Sequence, residues 1–93
     1  MSLFNLEGKV ALITGSTKGI GKAIAQRMAE QGAKVVVSSR NQELCDEVAG
    51  EVNDSGGTAI SVACNINYKE QLENLVAQSQ QKLGNIDILV CNA

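Results

Sequence analysis

The apolar run Val10-Ala11-Leu12-Ile13 leads directly into Thr14-Gly15-Ser16-Thr17-Lys18-Gly19-Ile20-Gly21, and an amphipathic segment follows at once. That order constrains the chain more than any other feature. A short apolar run bounded by glycine reads as a buried strand. A glycine turn that opens a helix sets backbone N–H groups and a helix N-terminus where a phosphate can sit. The glycines permit a tight turn and a close approach of backbone to ligand. A second strand, centred on Val35-Val36-Val37, follows in register. Together these residues spell a nucleotide-binding β-α-β unit. No G-K-[ST] follows the loop, which excludes a P-loop nucleotidase.

The alternation continues along the chain. The first strand is predicted at about Lys9–Thr14 and the first helix from near Gly19. Ile20, Ile24 and Met28, with Ala25 and Ala29 beside them, form the stripe expected to face a sheet. Gly32 is the expected left-handed C-cap. A second strand at Lys34–Ser39 and a helix at about Gln42–Val52 follow, the helix carrying Leu44, Val48 and Val52 in line. After the turn cluster Asp54-Ser55-Gly56-Gly57, the third strand covers about Thr58–Cys64. Asn67 with Glu70 fits a variant capping box for a third helix bearing Leu72, Leu75, Val76 and Leu83. Gly84 closes that helix, and the fourth strand is Ile86–Cys91.

Strands separated by helices of this length favour an α/β fold, a parallel sheet covered by helices on both faces. Right-handed crossovers then predict the strand order 3-2-1-4. The ligand crevice falls at the carboxyl ends of strands one and four, and Gly15, Cys64, Asn65 and Asn92 lie along that edge. Cys64 and Cys91 end strands at opposite sides of the sheet, too far apart for a disulfide. Strand four is apolar on both faces, so the sheet is expected to be incomplete at that edge. Residues 1–93 are accordingly expected to be the N-terminal part of one larger domain.

Composition narrows the function classes. Eight Lys and Arg against ten Asp and Glu give a net charge of −2, with both signs scattered. No basic stripe offers a track for nucleic-acid phosphates. No apolar run approaches the ~18 residues of a membrane span. Met1-Ser2-Leu3-Phe4-Asn5-Leu6-Glu7 lacks the basic and long apolar regions of a signal peptide, so a cytoplasmic protein is expected. Three separated cysteines and no histidine make no metal-ligand pattern, and the cysteines read as small packed side chains.

The spacing Gly15-x-x-x-Gly19-x-Gly21, with Thr14 before it and Ile20 inside it, resembles the glycine loop of the short-chain dehydrogenase/reductase family. Leu6-Glu7-Gly8-Lys9-Val10-Ala11-Leu12-Ile13 looks like that family's first strand. Val36-Val37-Ser38-Ser39-Arg40-Asn41 is similar to the second-strand end of its NADP-preferring, carbonyl-reductase-like members. Ile86-Asp87-Ile88-Leu89-Val90-Cys91-Asn92-Ala93 resembles the stretch that usually ends Asn-Asn-Ala-Gly. The likeness covers the whole chain. It implies a Rossmann-type dinucleotide-binding fold and a cofactor site at four places. These are the loop Gly15, Ser16, Thr17, Lys18, Gly19, Ile20 and Gly21; the second-strand end Ser39, Arg40 and Asn41; Cys64, Asn65 and Ile66 after strand three; and Asn92 and Ala93 after strand four.

Two positions depart from the family pattern. Cys91 stands where the first Asn of the stretch is usual. Asn65-Ile66 stands where the family has Asp-Val, whose carboxylate accepts from the adenine amino group. An amide oxygen can still accept there, but the bond becomes neutral and roughly half as strong.

Cofactor choice turns on Arg40. An NAD site places an acid at the end of strand two to bond the ribose 2′-hydroxyl. Here Ser38-Ser39-Arg40 follows, and no acid appears until Glu43. A guanidinium suits a 2′-phosphate, because its planar fork pairs with phosphate oxygens. Lys18 resembles a second basic residue of NADP-dependent relatives. The expected cofactor is therefore NADP.

The family's Tyr-x-x-x-Lys pair, with its Ser and Asn, lies downstream of strand four, and Tyr68 has Leu72 four residues on. No catalytic residue is expected among these 93. The resemblance implies the cofactor-binding portion of an oxidoreductase that reduces carbonyls or oxidises alcohols. The small-molecule substrate's pocket then lies outside this chain, and the parent is a homo-oligomer. The alternative is a non-catalytic nucleotide-binding or interaction module.

Overall fold

The computed structural model describes residues 5–92; the leader reading of Met1–Phe4 and the cofactor reading of Ala93 lie outside the described residues. Four strands and three helices alternate: β1 Val10–Thr14, α1 Gly19–Glu30, β2 Lys34–Ser38, α2 Gln42–Asp54, β3 Thr58–Ser61, α3 Lys69–Leu83 and β4 Ile88–Val90. The sheet is parallel throughout, in the order β3-β2-β1-β4. β1 is paired on both sides and buried along its whole length, as its unbroken apolar run requires.

Period-two alternation divides the strands between two cores. Ala11, Ile13, Val35, Val37 and Ala59 meet α1 and α2 on one face, while Leu12, Val36, Val62 and Cys64 meet Leu75 of α3 on the other. The fold is thus a Rossmann-type α/β sheet covered on both faces. β4 is the thinner edge, pairing among the described residues with β1 alone and leaving Leu89 61% exposed. The three cysteines are unpaired, with Cys64 and Cys91 beyond strands at opposite sides of the sheet.

Several local details differ from the pattern read in sequence. α1 packs through Gly21, Ala25 and Ala29, with Ile24 and Met28 flanking, and Ile20 is 74% exposed. The small-residue row lets the helix lie close to the strands, and Ile20 stands in the first turn beyond their ends. α2 turns Cys45, Val48, Ala49 and Val52 inward, leaving Leu44 half-buried. α3 is capped by Tyr68, without a side-chain bond, and not by Asn67. Asn67 is committed to an Asx turn, donating its N–H to Asn65 Oδ1 (3.0 Å), while the Tyr68 N–H donates to the Asn65 carbonyl (3.1 Å). Gly32 does end α1: its N–H donates to the Ala29 carbonyl and that of Ala33 to the Met28 carbonyl, a Schellman arrangement.

Among the described residues the outer edge of β3 has no neighbouring strand, yet its backbone is not left open. Asn53 of α2 pairs with Ala59 as a strand would, donating Nδ2–H to its carbonyl (3.0 Å) and accepting its N–H at Oδ1 (2.8 Å). Gln42 Oε1 accepts the Ala63 N–H (3.1 Å), and the Ser61 hydroxyl and Gln42 Nε2 both donate to Asp46. These bonds, Ser61 first and then Gln42, hold the Asp46 carboxyl below its ordinary pKa. Their support is therefore present in full above the ordinary carboxylate range and is lost as the pH falls below it through the lowered value. One helix face thus covers the bonding groups that an edge strand would otherwise leave exposed.

Asn53→Ala removes both bonds to a 7%-exposed residue. It is expected to lower stability by about 1–3 kcal/mol and to raise self-association, read by urea denaturation and by light scattering. A variant as stable and as monodisperse as the wild type would show that the clamp is decorative.

Candidate nucleotide-binding cleft

The carboxyl ends of β1, β2 and the segment after β3 surround a cleft of about 470 Å³. Its wall takes Thr14, Gly15, Thr17 and Lys18 from the glycine turn, and Ser38, Ser39 and Arg40 from the end of β2. Cys64, Asn65, Ile66 and Asn67 close a third side, and Asn92 stands after β4. A second cavity, between the C-terminal ends of α1 and α2, lies at the opposite end of the sheet.

Backbone and hydroxyl bonds make the floor rigid. The Ser16 N–H donates to the Ser38 carbonyl (3.0 Å), the Ser38 N–H donates to Ser16 Oγ (2.9 Å), and the Ser16 hydroxyl donates to the Ile13 carbonyl (2.8 Å). Fully buried Ser16 thus extends the β1–β2 ladder by one residue. Asn92 crosses from β4 in the same way. Its Nδ2–H donates to the Gly15 carbonyl (3.1 Å), and its backbone N–H donates to Thr14 Oγ1 (3.1 Å).

The glycines serve this closure. A Cβ on Gly15 would stand 2.2 Å from the Asn92 carbonyl oxygen, and one on Gly21 would stand 2.2 Å from the Gly15 oxygen and 2.6 Å from Asn92 Nδ2. The space they free is filled by the protein's own backbone. At Gly19 a Cβ would meet nothing within 4 Å, so the open side of the turn is there.

The electrostatics favour an anion. α1 begins with Lys18 at the N-cap, no side-chain cap and no acid in its first turn. Its first N–H groups have no intrahelical acceptor, and its dipole places about half a positive charge at that end. α2, by contrast, is capped by Asn41, whose Oδ1 accepts the Leu44 N–H (3.1 Å), with Glu43 beside it. Lys18 and Arg40 are the charged residues on the cleft wall, both exposed, and among the described residues neither is in an ion pair. Burial raises the pKa of the Cys64 thiol, which therefore lines the cleft in its neutral form.

Most residues singled out in sequence meet at this edge: Gly15, Thr17, Lys18, Ser39, Arg40, Cys64, Asn65, Ile66 and Asn92 all line the cleft. Ser16, Gly19, Ile20, Gly21 and Asn41 stand off its wall. Ser16 and Gly21 are buried beneath the turn, Asn41 caps α2, and Gly19 and Ile20 open α1 on the exposed side. Thr14, Ser38 and Asn67 line it without having been picked out. Thr14 and Ser38 could have been found, since each is the last residue of a strand ending at the crevice. Among the described residues no group of three or more metal-ligating side chains is present.

A model of the short chain dehydrogenase family matches residues 9–93. The chain is 47% identical over 88 residues to short-chain dehydrogenase/reductase SDRA of Arabidopsis thaliana, covering 95% of this chain and 35% of that protein. It is 48% identical over 88 residues to dehydrogenase/reductase SDR family member 4 of Sus scrofa, covering 95% and 32%. The crystal structure of hydroxysteroid dehydrogenase from Escherichia coli superposes with a TM-score of 0.94 at 44% identity, covering 96% of this chain and 38% of that one. The chain therefore spans about a third of the length of the curated relatives it matches.

Gly21→Ala forces backbone against backbone and is expected to cost about 1–3 kcal/mol in the ligand-free protein. Gly50→Ala, mid-helix and meeting nothing within 4 Å, is expected to stabilise by about 0.5–1 kcal/mol. Urea midpoints check both. A Gly21→Ala protein as stable as the wild type would mean that the close approach to Asn92 is not what demands glycine.

Proposed function

Because the chain belongs to the short-chain dehydrogenase family, we propose that it forms the cofactor-binding portion of an NADP-dependent oxidoreductase acting on a small carbonyl or alcohol. One observation carries the choice of cofactor. Two unpaired cations, Lys18 and Arg40, stand on a cleft wall without acidic residues, beside an uncapped helix N-terminus.

The residues present fit such a group. The open side of the turn at Gly19 leaves room for a pyrophosphate against the first N–H groups of α1. Arg40 supplies a planar fork for a 2′-phosphate, and Lys18 a looser point charge. Asn65 faces the adenine end with an oxygen that already accepts the Asn67 N–H, so what it offers a base amino group is one remaining lone pair. Asn92 touches the turn, holding it in the shape that receives the phosphates. When bound, the nicotinamide supplies the hydride or accepts it. These residues bind and orient, since Tyr68 has Leu72, not lysine, four residues on.

Titration of NADPH and NADH into the wild type and Arg40→Ala tests this reading. A hydrogen bond to a charged group contributes roughly 1.5–3 kcal/mol, so Arg40→Ala should weaken NADPH by about 10- to 150-fold. NADH, which has no 2′-phosphate, should bind nearly as before. The difference should shrink with added salt, because Arg40 is exposed. Equal losses for both cofactors would make Arg40 structural and remove the case for NADP.

A further inference from the structure

Ser38 ends β2 at the floor of the cleft, in register with Thr14 of β1. Strand alternation puts it on the face of Val36, above the core that contains Leu12, Val62, Cys64 and Leu75. Its backbone is fully used by Ser16. Its side chain is not: the residue is 1% exposed, and among the described residues Ser38 Oγ has no hydrogen-bond partner.

Its neighbours on this floor are accounted for. The Thr14 hydroxyl accepts the Asn92 N–H and reaches the Val90 carbonyl at 3.4 Å. Cys64 presents a neutral thiol, and Ile66 is an apolar wall 48% exposed. A hydroxyl shut away from both water and protein costs free energy. The cost is removed when a ligand with a polar edge covers the floor. A flat heteroaromatic base fits the chemistry: apolar faces for Cys64 and Ile66, and ring nitrogens that accept a hydroxyl hydrogen.

We infer that Ser38 is a base-contacting residue, its hydroxyl turning about χ1 from its buried position to donate to a ring nitrogen of the adenine, and that it trades stability of the empty site for affinity. The inference rests on the nucleotide reading above. It adds a contact from β2 that compensates for the neutral Asn65 at the same end of the cleft.

The test uses Ser38→Ala and the near-isosteric Ser38→Cys in the full chain, with 2′,5′-ADP as probe. Two quantities are read: the melting temperature without ligand and the dissociation constant by calorimetry. The inference expects opposite movements. The ligand-free alanine variant melts at or above the wild type, because an unpartnered hydroxyl is gone. Both variants bind 2′,5′-ADP about 2- to 12-fold more weakly, the range of one neutral hydrogen bond. An alanine variant that melts lower when empty would show that the hydroxyl has a protein partner and overturn the inference. Unchanged affinity in both variants, with the wild type binding normally, would overturn it while leaving the nucleotide reading intact. A wild type that does not bind 2′,5′-ADP would overturn both.

Discussion

Asn92 closes the carboxyl edge of the sheet by reaching from β4 to the turn between β1 and α1. It bonds the Gly15 carbonyl through its side chain and Thr14 Oγ1 through its backbone. The approach works only because residues 15 and 21 have no Cβ. Three elements therefore meet at one point: the end of β1, the first turn of α1 and the segment leaving β4. Where α1 begins, and so where its uncapped N–H groups lie, follows from that junction.

Ser16 makes the matching junction on the other side of β1. Its bonds to Ile13 and Ser38 carry the β1–β2 ladder past the last paired residues. Neutral hydrogen bonds contribute about 0.5–1.5 kcal/mol each, whereas exposed ion pairs such as Arg27–Glu30 and Lys69–Glu73 contribute about 0–1. The floor is thus held by buried hydroxyls and amides, not by surface ion pairs. Lys18 and Arg40 stand beside that rigid base, exposed and, among the described residues, without an ion-pair partner.

The fold was largely legible in the sequence because it follows from periodicity and chain connectivity. Val10–Ile13 and Val35–Val37 could be read as central strands from their unbroken apolar runs, and the order 3-2-1-4 from crossover handedness. The inward row of α1 differs from its apolar stripe at Ile20, because hydrophobicity marks a face but not how closely that face approaches the sheet. The Asn53–Ala59 clamp left no local signal, since an exposed-looking asparagine on a helix gives no hint of a strand edge beside it. In the cleft, residues in motifs are legible in the sequence and residues defined by position are not. Arg40 and Asn65 stand out by type, whereas Ser38 matters through where β2 ends. The glycine spacing reads as room for a ligand, whereas Gly15 and Gly21 admit Asn92.

The central claim is that this single edge, built by the Asn92 junction and left open at the α1 N-terminus, receives a phosphate-bearing dinucleotide. An amide-resolved magnetic-resonance titration of the ¹⁵N-labelled chain with NADPH tests it most directly. Saturable shifts should concentrate on residues 15–21, 38–40 and 64–66, while amides at the far cavity, among them Glu30, Glu51 and Gly56, stay in place. Shifts centred on that far cavity, with the glycine turn unmoved, would contradict the account.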